Sequence, residues 1–155
     1  MEGINKYCVD VVGILEVSLP SIFIDKNNEY DHCEYCPDTD ELVIVDPEGS
    51  RESYFHAAHE LRHKWQYVKQ YDRYFRDYKE LDEVSLHNYR MQKAEVDANA
   101  FGILMMIKFF NEISFLNGYL DDEKKAIYDR AKEISKHFGL KDVSWEQVYK
   151  AVGIC

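Results

Sequence analysis

Apolar residues along this chain recur in two rhythms, one helical and one alternating. Residues 3 to 17 set Ile4, Val11, Ile14 and Leu15 near the helical period, which predicts a packing helix closed by Pro20. Ser21-Ile22-Phe23-Ile24-Asp25 then has the short, β-branched and aromatic character of a strand, and Asn27-Asn28 marks a turn. A second strand is expected within residues 30 to 36. Pro37-Asp38-Thr39-Asp40 reads as a turn before Leu42-Val43-Ile44-Val45, the clearest strand in the chain. Together these segments make either a hairpin or a three-stranded sheet. Asp46-Pro47-Glu48-Gly49 ends it, and Ser50 stands as N-cap of the next helix. In that helix Tyr54, Ala58, Leu61, Trp65 and Val68 form one apolar stripe for the core, leaving the opposite face free to line a cleft.

Beyond it, residues 66 to 83 are dense in tyrosine and charge. Tyr67, Tyr71, Tyr74, Phe75 and Tyr78 fall at near-helical spacing, which predicts an amphipathic helix continuing outward, with a peptide-binding platform as the other reading. A further helix is expected from about residue 85 to residue 110, with Phe101, Leu104, Met105 and Phe109 as core. Asn117-Gly118 signals a loop. Residues 121 to 138 read as an amphipathic helix closed by Gly139, and Ser144-Trp145-Glu146-Gln147 has the form of a capping box opening a short last helix. The class implied is α+β and mostly helical, as a single domain over residues 1–155.

Charge narrows the set of partners. Nineteen basic against twenty-nine acidic residues give a net charge of −10, which argues against nonspecific binding to nucleic acid or to an anionic membrane and suits a basic protein partner better. Residues 8 to 24 are apolar-rich, but Asp10, Glu16 and Pro20 interrupt them and no positively charged start precedes them. Neither a signal peptide nor a spanning helix is therefore expected, and the protein is expected in the cytoplasm. In that compartment Cys8, Cys33, Cys36 and Cys155 are expected as reduced thiols. Cys33-Glu34-Tyr35-Cys36, beside His32, lacks the second cysteine pair that a structural zinc site usually needs, and its expected place in a hairpin does not suit a redox role.

The chemistry concentrates in His59-Glu60-Leu61-Arg62-His63, an H-E-x-x-H pattern on the predicted cleft-facing side of its helix. Residues four apart on a helix stack one above the other, so the imidazoles of His59 and His63 can converge on one metal ion. Glu60, one step further round, is placed to act as general base toward a water on that metal. His56 lies three residues before His59, on the same side. It is read as a cleft or surface residue, since a fourth protein ligand would close the position that catalysis leaves open.

A catalytic zinc usually takes three protein ligands, and Glu95 is the candidate for the third. At about 100° per residue Glu95, Asn99, Gly102 and Met106 share one helix face, with Ala98 beside them, so small residues flank the carboxylate. Asn99 is placed to hydrogen-bond a ligand histidine and fix its orientation. Asp97 lies about 160° away and is read as solvated or salt-bridged. Three side chains are candidates for the oxyanion donor of a hydrolytic reaction: Tyr89, His87 and Arg62.

H-E-x-x-H followed by Glu95-Val96-Asp97-Ala98-Asn99-Ala100-Phe101-Gly102, or E-x-x-A-N-x-F-G, resembles the gluzincin metallopeptidases. The likeness is greatest to the ImmA/IrrE-like group of small intracellular zinc peptidases. It covers roughly residues 20 to 110 and is specific at about eight positions, with Arg62 standing where that family usually carries a small residue. The resemblance implies a minimal zincin-like fold with one catalytic zinc held by His59, His63 and Glu95, and with Glu60 as base. Its implied substrate is a protein, such as a transcriptional repressor. The other functional class open to the chain is a catalytically silent, zinc-containing regulatory or protein-binding module. Glu60 argues against it, because a structural site has no use for that carboxylate.

Overall fold

A computed structural model describes residues 2–27, 29–45 and 50–154; the expected turn at Asn28, the segment Asp46–Gly49 and Cys155 lie outside the described residues. The described chain is mostly helical with one small sheet, an α+β architecture. It is organised as two compact units, one running up to Arg76 and one from Asp77 onward.

In the first unit, helix α1 (Glu2–Leu15) buries Ile4, Tyr7, Cys8, Val11, Val12 and Leu15. It stops short of Pro20 because Glu16 turns left-handed at φ 55° and Val17 N–H reaches back to the Val12 carbonyl at 3.2 Å, a C-terminal closure that needs no proline. Burial pushes the Cys8 thiol up to about 12, so it is an inert, protonated core group. The sheet has three strands, β1 (Ser21–Asp25), β2 (Glu34–Cys36) and β3 (Glu41–Val45), in the order β1-β3-β2. Strand β3 is central, parallel to β1 and antiparallel to β2, and its Leu42, Val43 and Ile44 are buried. The sheet alternative from the sequence is thus the one formed. Strand β2 is shorter than expected because the buried Asp25 carboxylate accepts the Asn27 N–H at 3.0 Å and the Tyr30 N–H at 2.8 Å, curling the chain before pairing begins.

Helix α2 (Arg51–Lys69) packs against α1, β2 and β3. Ser50 occupies its N-cap position in extended backbone without a capping bond from its side chain. The expected single apolar stripe is corrected in two ways. Val68 is exposed in the last turn, and the helix also buries Ser53, Arg62, Lys64 and Gln66. Each of these polar side chains has a partner: Ser53 Oγ donates to the Val45 carbonyl at 3.1 Å, Lys64 Nζ meets Asp40 Oδ1 at 2.5 Å, the Arg62 guanidinium lies 3.7 Å over the Trp65 ring, and Gln66 Oε1 faces His63 Nδ1 at 2.8 Å. Partnered polar groups can be buried at small cost, which a pattern of apolar letters does not reveal.

The outward continuation of this helix is also corrected. It breaks at Gln70 (φ −142°, ψ 34°) and resumes only as the short α3 (Tyr71–Tyr74). On one straight helix Trp65 and Tyr74 would sit on opposite faces, about 13 Å apart along the axis. The bend brings their rings to 6.3 Å and buries Tyr74.

In the second unit, the helix expected over 85–110 is two helices, α4 (Leu86–Arg90) and α5 (Lys93–Phe110), separated where Gln92 takes an extended conformation (φ −63°, ψ 146°). Its side chain is the reason. Gln92 Oε1 accepts the Lys79 N–H at 2.7 Å, and Gln92 Nε2 donates to the Lys79 carbonyl at 2.9 Å, tying the preceding loop to the head of α5. Helix α5 buries Ala94 through Met106 almost without interruption; Phe109, expected in the core, is 36% exposed in the last turn, where Asn111 ends the helix left-handed.

Helix α6 (Asp121–Ser135) packs along α5, is extended by a 3-10 turn (Lys136–Phe138) and closes at Gly139, φ 75°. Asp97 is buried, not solvated, and receives the Arg130 Nε and Nη2 hydrogens at 2.8 and 2.6 Å. Helix α7 (Trp145–Val152) starts at Ser144, but the expected capping box does not form: Ser144 makes no side-chain capping bond. Among the described residues no helix is long and apolar enough to cross a membrane.

Glu123, at the head of α6, is 1% exposed. Burial opposes its ionised form, but the Leu120 N–H, His87 and Arg90 outweigh that and hold its carboxyl below the usual value of 4.5. A depressed folded-state value stabilises above the unfolded-state value and is lost as pH falls through the folded one. The stability gap between wild type and Glu123→Gln is therefore expected to be full at neutral pH and to narrow below about pH 4.5, as read by denaturant titration. A gap unchanged down to pH 3 would contradict this.

Candidate metal centre

Helix α2 brings His59 and His63 onto one face a turn apart, and their Nε2 atoms lie 3.0 Å from each other. His63 Nδ1 faces Gln66 Oε1 at 2.8 Å. An amide oxygen only accepts, so Nδ1 donates to it, and in the neutral ring this leaves Nε2 with the lone pair that a metal ligand needs. Gln66 is completely buried. Sequence reasoning missed it, although its place three residues after His63, on the same helix face, was a readable signal.

Glu60 is fixed by the sheet. Its Oε2 accepts the backbone N–H of Tyr35 in β2 at 2.9 Å, and its Oε1 lies 3.9 Å from His59 Nε2. The strand is held in turn by the Tyr35 side chain, whose hydroxyl donates to Asp40 Oδ1 at 3.0 Å, the same oxygen that Lys64 Nζ meets. The Lys64 ammonium holds the Asp40 carboxyl below its ordinary value, so this anchor is ionised at neutral pH. His56 is half-exposed and faces Glu52 at 3.4 Å.

Glu95 stands in the first turn of α5, where the helix dipole favours a negative charge, and is 4% exposed. Tyr78, in the loop before α4, donates its hydroxyl to Glu95 Oε1 at 2.7 Å. Burial, and after it the charge of Glu95, push that hydroxyl far above its ordinary value, so it remains a donor. Tyr89 lies behind it, with the two hydroxyls 2.9 Å apart. Asn99 is buried one turn after Glu95. His87 is engaged with Glu123 at 3.0 Å and Asp122 at 3.6 Å, and Arg62 is stacked on Trp65. Cys33 and Cys36 form no disulfide, and Cys33 Sγ accepts the Val45 N–H at 3.3 Å.

Among the described residues one group of side chains could hold a metal ion: one coordinating atom each from His59, His63 and Glu95, all within 4.8 Å of one another. Two nitrogens about 2.05 Å from a tetrahedral zinc would lie about 3.3 Å apart, close to the 3.0 Å between the imidazoles. The donors also match: two imidazoles and one carboxylate suit zinc and leave a position open. Compared with family models, curated proteins and solved structures, the chain shows no match.

Proposed function

We propose that this protein is a zinc-dependent metallopeptidase of minimal zincin-like fold, hydrolysing peptide bonds in a protein substrate in the cytoplasm, with a regulator such as a transcriptional repressor as its target. The observation that carries the reading is the gathering of His59, His63 and Glu95 within 4.8 Å, with the Glu60 carboxylate 3.9 Å from His59 Nε2. The order of parts supports it as well, because a small sheet precedes the H-E-x-x-H helix and a later helix carries the glutamate, as in the gluzincins that the sequence resembles.

His59, His63 and Glu95 would hold the ion. Bound zinc supplies Lewis acidity, polarising a carbonyl and lowering the pKa of water. Glu60 takes a proton from the attacking water and returns it to the leaving nitrogen, which lets one carboxylate serve as base and then acid. The Tyr35 N–H keeps Oε2 of that carboxylate directed toward the strand and Oε1 toward His59. Gln66 keeps His63 in the tautomer that frees Nε2. A net charge of −10 favours a basic polypeptide over nucleic acid as the molecule that approaches.

The test is metal content and chelator sensitivity together. Purified protein is expected to retain about one zinc per chain by elemental analysis and to cleave an unfolded basic protein, with activity lost to a strong chelator and restored by added zinc. Failure to retain zinc at that stoichiometry, or cleavage indifferent to chelation, would overturn the reading.

A further inference from the structure

We infer that Tyr78 is a positioning residue for Glu95, the carboxylate proposed as third metal ligand, and that Tyr89 backs it in a chain of two hydroxyls. The inference rests on the metal-centre reading above and assigns a role to the tyrosine-rich stretch that this reading leaves without one.

Two hydrogen bonds define the chain. The Tyr78 hydroxyl lies 2.7 Å from Glu95 Oε1 and 2.9 Å from the Tyr89 hydroxyl. One hydroxyl carries one proton, and a carboxylate only accepts. The Tyr78 proton therefore goes to Glu95, and Tyr89 supplies its own proton to the Tyr78 oxygen. The two rings are packed edge to face at 6.1 Å, which limits how far either hydroxyl can swing.

The loop that carries Tyr78 is itself anchored. Gln92 grips both the N–H and the carbonyl of Lys79, the next residue, at 2.7 and 2.9 Å. Gln92 is the N-cap residue of α5, and Glu95 follows three residues later. Loop, hydroxyl and carboxylate thus share one short frame built on the head of a single helix. A carboxylate on a flexible side chain loses rotamer freedom when it binds a metal; a donor that restricts it beforehand reduces that loss, and such partners typically alter metal affinity 10–100-fold.

The experiment compares wild type, Tyr78→Phe and Tyr89→Phe by competition with a chromophoric zinc chelator, and by the visible spectrum of the cobalt(II)-substituted proteins. Tyr78→Phe is expected to weaken zinc binding about 10–100-fold and to change the cobalt bands, with metal-free melting close to wild type. Tyr89→Phe, one hydroxyl further away, is expected to produce a smaller change in the same direction, and it tests the chain even where Tyr78→Phe folds poorly. Wild-type affinity and an unaltered cobalt spectrum in both variants would overturn the positioning role while leaving the metal centre standing. Wild-type protein that takes up no zinc would overturn both.

Discussion

Glu60→Gln is expected to lower turnover of a cleavable polypeptide about 10²–10⁴-fold while the protein still holds one zinc with the affinity of wild type. Glutamine matches glutamate in shape, and its amide oxygen can still accept the Tyr35 N–H, which reaches Glu60 Oε2 at 2.9 Å, so the side chain keeps its place. What it loses is the ability to take up a proton. Glu60 does not belong to the metal-holding group, so affinity and turnover should separate cleanly. His63→Ala should behave in the opposite way, losing metal and turnover together, because it removes a coordinating nitrogen. The measurements are kcat on a fluorogenic polypeptide and zinc content of the same preparations. A Glu60→Gln protein that turns over within a few-fold of wild type would remove Glu60 from the mechanism, and one that loses its zinc would make it a ligand.

The parts of this site that were legible in the sequence are those fixed by helical spacing. His59 and His63 sit four apart in an uninterrupted stretch of α2, and periodicity alone places them on one face. Glu95 was legible for a related reason: Ala98, Asn99 and Gly102 around it are small, and all are buried. The supports of the site were not legible. The bond to Glu60 comes from a backbone N–H in β2, and every residue except proline has such a group, so its letter carries no signal. Tyr78 reaches Glu95 across seventeen positions of sequence from a loop whose course depends on the Gln92 clamp. Its near-helical spacing from Tyr71 and Tyr74 even suggested the wrong element.

The fold divides in the same way. The strand at 21–25 and the run ending at Val45 were read from β-branched residues bounded by turn formers, both local properties. The breaks at Gln70 and Gln92 carry no glycine or proline to announce them. They follow from tertiary contacts, the Trp65–Tyr74 ring pair in one case and the Lys79 clamp in the other. Such contacts outweigh local helix propensity, which differs among ordinary residues by only about 0.7 kcal/mol or less.

Arg130→Met is expected to destabilise the second unit by about 3–5 kcal/mol. Asp97 is 1% exposed on α5 and accepts two guanidinium hydrogens of Arg130 from α6 on one carboxylate oxygen, at 2.8 and 2.6 Å. Removing the guanidinium leaves the charge on Asp97 buried with its main cation gone, and the cost of breaking such a pair far exceeds what an exposed pair contributes. For a chain of this size the loss corresponds to a fall in Tm of roughly 10 °C. Adding Asp97→Leu to Arg130→Met should recover much of that fall, because it removes the buried charge itself and leaves an apolar contact between α5 and α6. Thermal melts of wild type, the single variant and the double variant decide the matter. An Arg130→Met protein melting within a degree or two of wild type would show that Asp97 does not depend on its partner across the helix pair.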